Sequence, residues 1–421
     1  MNDVKSGQNG ILTSPYSRRQ FLMTATLAGL GAIAGVGCGK TAGPATTGST
    51  DNKAGAAKDA LKLGVLLPYS KVYAVLGDHI TKGMELYFDG VGYTAGGRKI
   101  ELLKEDDEND AQTGLRKTRK FIESDKVDMV TGFVNTGIAY AVRDLLHSTK
   151  TVTIVSNAGG NALTRKNKSP YLFRTSFSSW QPSYPMGEYV YQNVAKKVVI
   201  VAADYAFGKE SAEAFKQLFV KSGGQVLAEV YAPLGTNDFG AYLAQVAKAK
   251  PEAVYGFFSG SDAVRFVKQF DEYGLKKNVK ITSAGFMLEE DVLPAQGKAA
   301  LGGISGLHWA MSLDNPENKK FVEDYKKKHN AVPSVFAMQG YDTARVIVES
   351  VNQLQGDTSN KDKLTETIKG LKFNSPRGKF EFDPETNNVV QNIYIREVKD
   401  VGGELHNQVI KTYENVKDPG K

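Results

Sequence analysis

The run Asp128-Met129-Val130-Thr131-Gly132-Phe133-Val134-Asn135-Thr136-Gly137-Ile138 decides how this chain folds. It joins a short apolar stretch (128–134) to a helical pattern (138–148) through three small polar residues. A strand apolar on both faces belongs inside a parallel sheet covered by helices. The same unit recurs on either side. Upstream, strands are expected at 63–67 and 99–103, with helices at 77–92 and 111–124, the latter carrying Leu115, Phe121 and Ile122 on one face. Downstream a fourth strand is expected at 152–155.

After Phe173-Arg174-Thr175 the cycle restarts, with strands at 198–201, 225–231, 253–258 and 279–283. Helices are expected at 211–221, 239–249 and 263–273, the second capped by Asn237 or Asp238. The segment 304–310 is expected to return to the first unit, which also takes helices at 322–328 and 341–354. Strands at 378–382 and 390–398 should pair antiparallel around Asp383-Pro384. The fold class is therefore α/β, two doubly wound parallel-sheet lobes. Residues 61–177 with 309–373 form one lobe, and 178–308 with 374–416 the other.

Composition agrees with two domains. The chain has 421 residues, 41% hydrophobic and 24% charged, an ordinary globular balance with room for a core in each half. The net charge of +7 is spread among acids along helices, as at Lys117, Arg119, Lys120, Lys326 and Lys328. Without a concentrated basic stripe, no nucleic-acid partner is expected. With one cysteine, Cys38, the chain can form no internal disulfide, and its five histidines lack ligand spacing. No metal and no cofactor are expected. Asp106, Asp107, Glu108 and Asp110 lack the spacing of a calcium loop.

The N-terminus reads as an address. Arg18-Arg19-Gln20-Phe21-Leu22 precedes an uncharged run at 23–36, too short and Gly/Ala-rich to span a membrane well. The paired arginines resemble the twin-arginine export motif. Gly35-Val36-Gly37-Cys38 resembles a lipoprotein cleavage box, although leucine is usual where Gly35 stands, and it makes Cys38 the candidate for lipidation. Residues 39–60 are Gly-, Ala-, Thr-, Ser- and Lys-rich, the composition of a flexible tether.

Open parallel sheets bind ligands beyond the carboxyl ends of their strands. The first strand is followed by Tyr69 and Tyr73, the third by Asn135, Thr136 and Gly137, the fourth by Asn157, Ala158 and Gly159. The second unit contributes Asp204, Tyr205 and Phe207, then Ser259, Ser261 and Asp262, then Phe286. Small polar residues and glycines at a helix start leave backbone N–H groups free to hold an anion without a lysine or arginine. Aromatic residues suit an apolar wall. Each set also has a plain structural reading: a helix cap, a loop needing special backbone angles, or hinge packing.

These segments, with Leu63–Pro68, Tyr171–Thr175, Asp204-Tyr205-Ala206-Phe207-Gly208 and Asn237-Asp238-Phe239, resemble the extracellular receptors of branched-chain-amino-acid ABC importers, in order over 61–399. The resemblance implies a type I periplasmic-binding fold, two lobes joined by a three-segment hinge. It implies a small carboxylate ligand, and a membrane permease and an ATPase as partners. In that family the loops matched by Asn135–Gly137 and Asn157–Gly159 hold the carboxylate, the aromatic matched by Phe207 or Tyr205 covers it, and Ser259–Ser261 and Phe286 line the remainder. Amino-acid binders usually carry an acid in the loop where this chain has Ala284-Gly285-Phe286, with Glu289 and Glu290 further on. Relatives with Ser-Asn-Ala-Gly and Asp-Tyr-Ala-Phe-Gly segments include binders of aromatic acids, while Asp204 or Asp262 could still meet an ammonium. Two other readings remain open: a tethered sensor serving a signalling partner, and an exported enzyme, for which no nucleophile elbow is present.

Overall fold

Continuous apolar runs become buried strands, and the segments between them become the helices that cover them. The computed structural model describes residues 59–420. The leader with Arg18 and Arg19, the cysteine Cys38 and nearly all of the tether lie outside the described residues.

In chain order the elements are β1 (Leu61–Leu67), α1 (Ala74–Gly90), β2 (Thr94–Ala95), β3 (Arg98–Asp106), α2 (Ala111–Glu123), β4 (Met129–Gly132), α3 (Thr136–Ser148), β5 (Thr153–Val155) and β6 (Leu172–Arg174). Then follow α4 (Trp180–Asn193), β7 (Lys197–Ala203), α5 (Ala206–Lys221), β8 (Gln225–Ala232), α6 (Gly240–Ala249), β9 (Ala253–Phe257), α7 (Gly260–Glu272), β10 (Lys280–Ala284), α8 (Leu293–Gln296) and β11 (Ile304–Leu307). The last are α9 (Pro316–His329), α10 (Val335–Gln353), α11 (Lys361–Lys369), β12 (Lys372–Ser375), β13 (Gly378–Phe382), β14 (Val389–Val401) and β15 (Glu404–Val416).

One sheet has the order β2-β3-β1-β4-β5-β6 and is parallel except for the short β2 edge. The other runs β12-β13-β14-β11-β10-β9-β7-β8, with β15 paired to β14. Its β8-β7-β9-β10-β11 portion is parallel and the rest antiparallel. Helices α9 and α10 pack with α1 beside the first sheet, with α11 against α10, while α4 and α5 cover the second. The chain therefore passes between the sheets three times, at 175–179, 308–315 and 370–371.

Three buried arginines staple these passages. Arg174, at the end of β6, donates to Asn388 Oδ1 at 2.6 Å and to the Gly160 carbonyl at 2.6 Å. Arg377 donates to Asp342 Oδ2 at 2.8 Å, to the carbonyls of Thr175 (2.8 Å) and Ser176 (3.1 Å), and to Gln391 Oε1 at 2.7 Å. Arg396 pairs with Glu289 at 2.8 Å, and the other oxygen of Glu289 accepts the Val335 N–H at 2.7 Å, at the start of α10. Burying three guanidinium groups is tolerable because most of their donors meet acceptors, Arg377 Nη2 being left without one among the described residues.

Several expectations need correction. Of the segment 304–310, the part Ile304–Leu307 is not yet on its way to the first sheet; the return begins only at 308. Ile304–Leu307 lies between β10 and β14, because both offer it unpaired edges, Thr282 opposite Ile304 and Glu397 opposite Ile304. Helix α4 was not expected, and it accommodates two prolines. Pro182 falls in the first turn, where no intrahelical donor is needed; Pro185 is the internal exception. Strands β6, β12 and β15 and helix α11 were not expected either; β6 and β12 are three or four residues long and carry no periodic signal. Asp238 does serve the start of α6, accepting the Gly240 N–H at 2.8 Å, while Phe239 takes the cap position.

Candidate functional site

The strand-end loops of the first sheet are clasped to one another. The Ala158 N–H donates to the Phe133 carbonyl at 2.8 Å, and the Ser156 N–H to the Gly132 carbonyl at 2.8 Å. Phe133 takes a left-handed backbone (φ 65°), a conformation that side-chain-bearing residues adopt only where the surroundings impose it. Opposite these loops lie the N-termini of α5 and α7, whose cap positions, Tyr205 and Ser259, make no side-chain cap hydrogen bond.

Between the two sets is a narrow, aromatic-walled cleft. From the first-sheet side it is lined by Tyr73, Leu76, Val134, Asn157, Gly159 and Phe336, with Phe177 from the first crossing. The second-sheet side supplies Tyr205, Phe207, Phe257, Ser259 and Phe286. Phe207 packs against Phe257 with centroids 4.3 Å apart and edge-on to Phe177 at 5.7 Å, and Phe286 lies 4.9 Å from Phe177. The walls touch at one end, where the Tyr73 and Tyr205 hydroxyls meet at 3.2 Å. Gly260, with φ 58°, lies so close to the Val72 carbonyl that a Cβ there would stand 2.4 Å from it. Only glycine allows that approach.

Seven of the expected residues thus come together: Tyr73, Asn157, Gly159, Tyr205, Phe207, Ser259 and Phe286. The others do not line the cleft. Asn135 caps α3, its Oδ1 accepting the Gly137 N–H at 2.7 Å and its Nδ2 donating to Asn109 at 2.7 Å. The donors expected from Asn135 and Gly137 are therefore spent inside the protein. Thr136 is buried with its Oγ1 unpartnered, and its methyl group packs under Gly160. Ala158 is buried behind the loop, and Ser261 lies two residues beyond Ser259, the last of that loop to line the wall. Tyr69 faces away, its hydroxyl 2.8 Å from Thr81 Oγ1, beside Asp78 and Glu85 in a separate surface depression.

Sequence reasoning missed Leu76, Val134, Phe177, Phe257 and Phe336. Phe257 carried a signal, as the last residue but one of the strand expected at 253–258. Phe336 carried none, since it enters from a helix begun after the second crossing.

The electrostatics are simple: among the described residues, no cleft-lining side chain is charged. Asp204 pairs with Lys209 at 2.8 Å. Asp262 is held by Arg265 and by the Gly235 N–H at 2.9 Å. Burial raises the Tyr73 phenol well above its ordinary range, with Tyr205 beside it adding to the effect, and burial likewise raises Tyr205. Behind the wall, His308 stacks on Phe177 at 5.2 Å and is kept neutral, first by burial and then by Arg377 and Arg396.

Two parallel-sheet lobes, three crossings and a small aromatic cleft between strand ends define a hinged, ligand-capturing protein. The periplasmic binding protein family model matches residues 60–404. The Leu/Ile/Val-binding protein homolog 6 of Brucella melitensis is 33% identical over 368 residues, 86% of this chain and 94% of that relative. The chain belongs to the periplasmic binding protein family, with the type I fold. Among solved structures, a solute-binding protein of an ABC transporter from Rhodopseudomonas palustris BisB5, in complex with 3,4-dihydroxybenzoic acid, matches with a TM-score of 0.83 and 36% identity. The match covers 86% of this chain and 99% of that one. A second R. palustris solute-binding protein, in complex with benzoate, matches with a TM-score of 0.80 and 36% identity over 83% of this chain and 96% of its own.

Proposed function

We propose that this protein is the substrate-binding component of an ABC importer and captures a single-ring aromatic carboxylate between its lobes, without transforming it. The observation that carries this reading is the cleft itself, walled by rings from both lobes and without a charged side chain. The ammonium of an amino acid would be left unpaired there, at a cost of several kcal/mol. A carboxylate can be met by neutral donors at Ser259 and the Gly159 loop, and by the partial positive charge at the starts of α5 and α7. The ring would stack among Phe177, Phe207, Phe257 and Phe286, each good pairing contributing about 0.5–1.5 kcal/mol. The complexes of the two R. palustris relatives with benzoic acids support this ligand class. Capture is a population shift toward the conformation in which both half-sites touch the ligand. The moving bodies are 61–177 with 309–373 against 178–308 with 374–416, and the permease and ATPase of the importer are the partners.

A thermal-shift panel of benzoate, 4-hydroxybenzoate and leucine tests this. Benzoate at 100 times its Kd should stabilise by about 2.7 kcal/mol, and leucine should do nothing. Stabilisation by leucine with the aromatic acids inert would sink the reading. The benzoate shift should be the same at pH 6 and pH 8. His308 has its folded value below 6.5, so it gains charge only in acid, and the tyrosines ionise only in strong base.

Among the described residues, no helix is long and apolar enough to cross a membrane. We further propose export through the twin-arginine leader and anchoring by a lipid on Cys38, on the sequence pattern and a family that is periplasmic. Cys38→Ala should move the protein from the membrane fraction to the soluble fraction of cells. An unchanged distribution would remove the anchor.

A further inference from the structure

Behind the cleft wall lies a chain of three side chains that the capture reading does not use. Asn157, at the wall, donates from Nδ2 to Gln339 Oε1 at 2.8 Å. Gln339, in α10, places its Nε2 3.1 Å from His308 Nε2. All three are buried. An amide nitrogen only donates, so His308 Nε2 is the acceptor, and the proton of the neutral ring is on Nδ1. His308 Nδ1 is buried without a partner, so nothing at that end of the chain holds the tautomer. At the other end, no hydrogen bond from the described residues takes Asn157 Oδ1, and it is not among the buried unpartnered atoms; it faces the cleft. A carboxylate arriving there would meet oxygen against oxygen.

We propose that Asn157, Gln339 and His308 form a reversible relay in which a carboxylate ligand turns the Asn157 amide to present N–H, and the turn is passed through Gln339 to the tautomer of His308. Both amides rotate half a turn. His308 then donates from Nε2 to Gln339 Oε1, and Gln339 Nε2 donates to Asn157 Oδ1. The proton leaves Nδ1 for solvent and another is taken up on Nε2, so the net charge is unchanged. Gln339 and His308 are positioning residues, since neither lines the cleft. The relay lets one asparagine serve an acceptor such as carboxylate in one state and a donor such as hydroxyl in the other. The inference rests on the proposed capture of an aromatic carboxylate in this cleft.

The test is the nitrogen NMR spectrum of the 15N-histidine-labelled chain, with the His308 signals assigned by their loss in His308→Phe. Without ligand, the expected state between pH 6 and pH 8 is neutral with Nδ1 protonated. A charged ring, or a proton already on Nε2, overturns the relay whether or not any ligand binds. With benzoate bound, as judged independently by melting temperature, the proton should be on Nε2. A melting shift with the tautomer unmoved overturns the relay and leaves the function standing. No melting shift with any aromatic acid overturns the function, and the ligand-free spectrum then judges the relay alone. Gln339→Leu should weaken benzoate binding roughly 10-fold, the scale of one lost hydrogen bond, and uncouple the His308 tautomer from benzoate. A tautomer that still follows benzoate in Gln339→Leu also overturns the relay.

Discussion

Arg377→Met is expected to lower folding stability by about 3–5 kcal/mol, measured by chemical denaturation, because it strands the Asp342 carboxylate in the interior. Both side chains of this pair are fully buried. Arg377 also carries the carbonyls of Thr175 and Ser176 and the amide of Gln391, so one substitution loosens the first crossing, the third crossing and α10 together. Breaking a buried pair costs far more than removing both partners, since only the former leaves an unpaired charge. Asp342→Leu combined with Arg377→Met should therefore recover part of the loss. A single Arg377→Met variant within about 1 kcal/mol of the parent would show that the hinge does not depend on this network. Ligand affinity should fall along with stability, because the crossings set how the lobes meet.

The second large effect is on binding. At Gly159 a Cβ would stand 2.5 Å from Phe207 Cε2 and 2.6 Å from Phe177 Cε2, closer than side-chain atoms approach. Gly159→Val adds two further methyl groups in a narrow cleft. Overpacking of about 1–3 kcal/mol, charged against the closed liganded state, converts to roughly 10- to 100-fold weaker binding. The fold itself should change little, because opening the lobes relieves the clash with Phe207 and the Phe177 ring need only shift within the emptied cleft. Isothermal titration with benzoate gives the affinity, and circular dichroism checks the fold. Parental affinity in a folded Gly159→Val protein would place the ligand elsewhere.

The two expected effects differ in how far their residues could be read beforehand. Gly159 stands in Ser156-Asn157-Ala158-Gly159, a loop after a buried strand, and such loops mark the binding edge of any open parallel sheet. Tyr205, Phe207, Ser259 and Phe286 were legible for the same reason. Asn135 and Gly137 were equally legible as a strand-end loop. A helix start, however, can spend its donors on its own cap or on a ligand, and sequence does not separate the two. The structure shows Asn135 taking the Gly137 N–H. Arg377 gave no sign of its importance, since an arginine in a chain of scattered charge reads as surface.

The order of the main core strands with most of their covering helices, the parallel core of both sheets and most of the loops at the strand ends were determined by sequence alone. Those features rest on local physics: runs buried on both faces, helical periodicity, and cap or glycine signals within a few residues. Only the tertiary structure decided that Ile304–Leu307 joins the second sheet and that Phe177, Phe257 and Phe336 share one wall. It alone decided that Asn157 leans on Gln339 and His308, and that buried arginines carry the hinge. Each of these is a meeting of residues from different crossings of the chain. The energy of such a meeting comes from desolvation and packing between distant segments, and neither has a counterpart in the residues next to it in sequence.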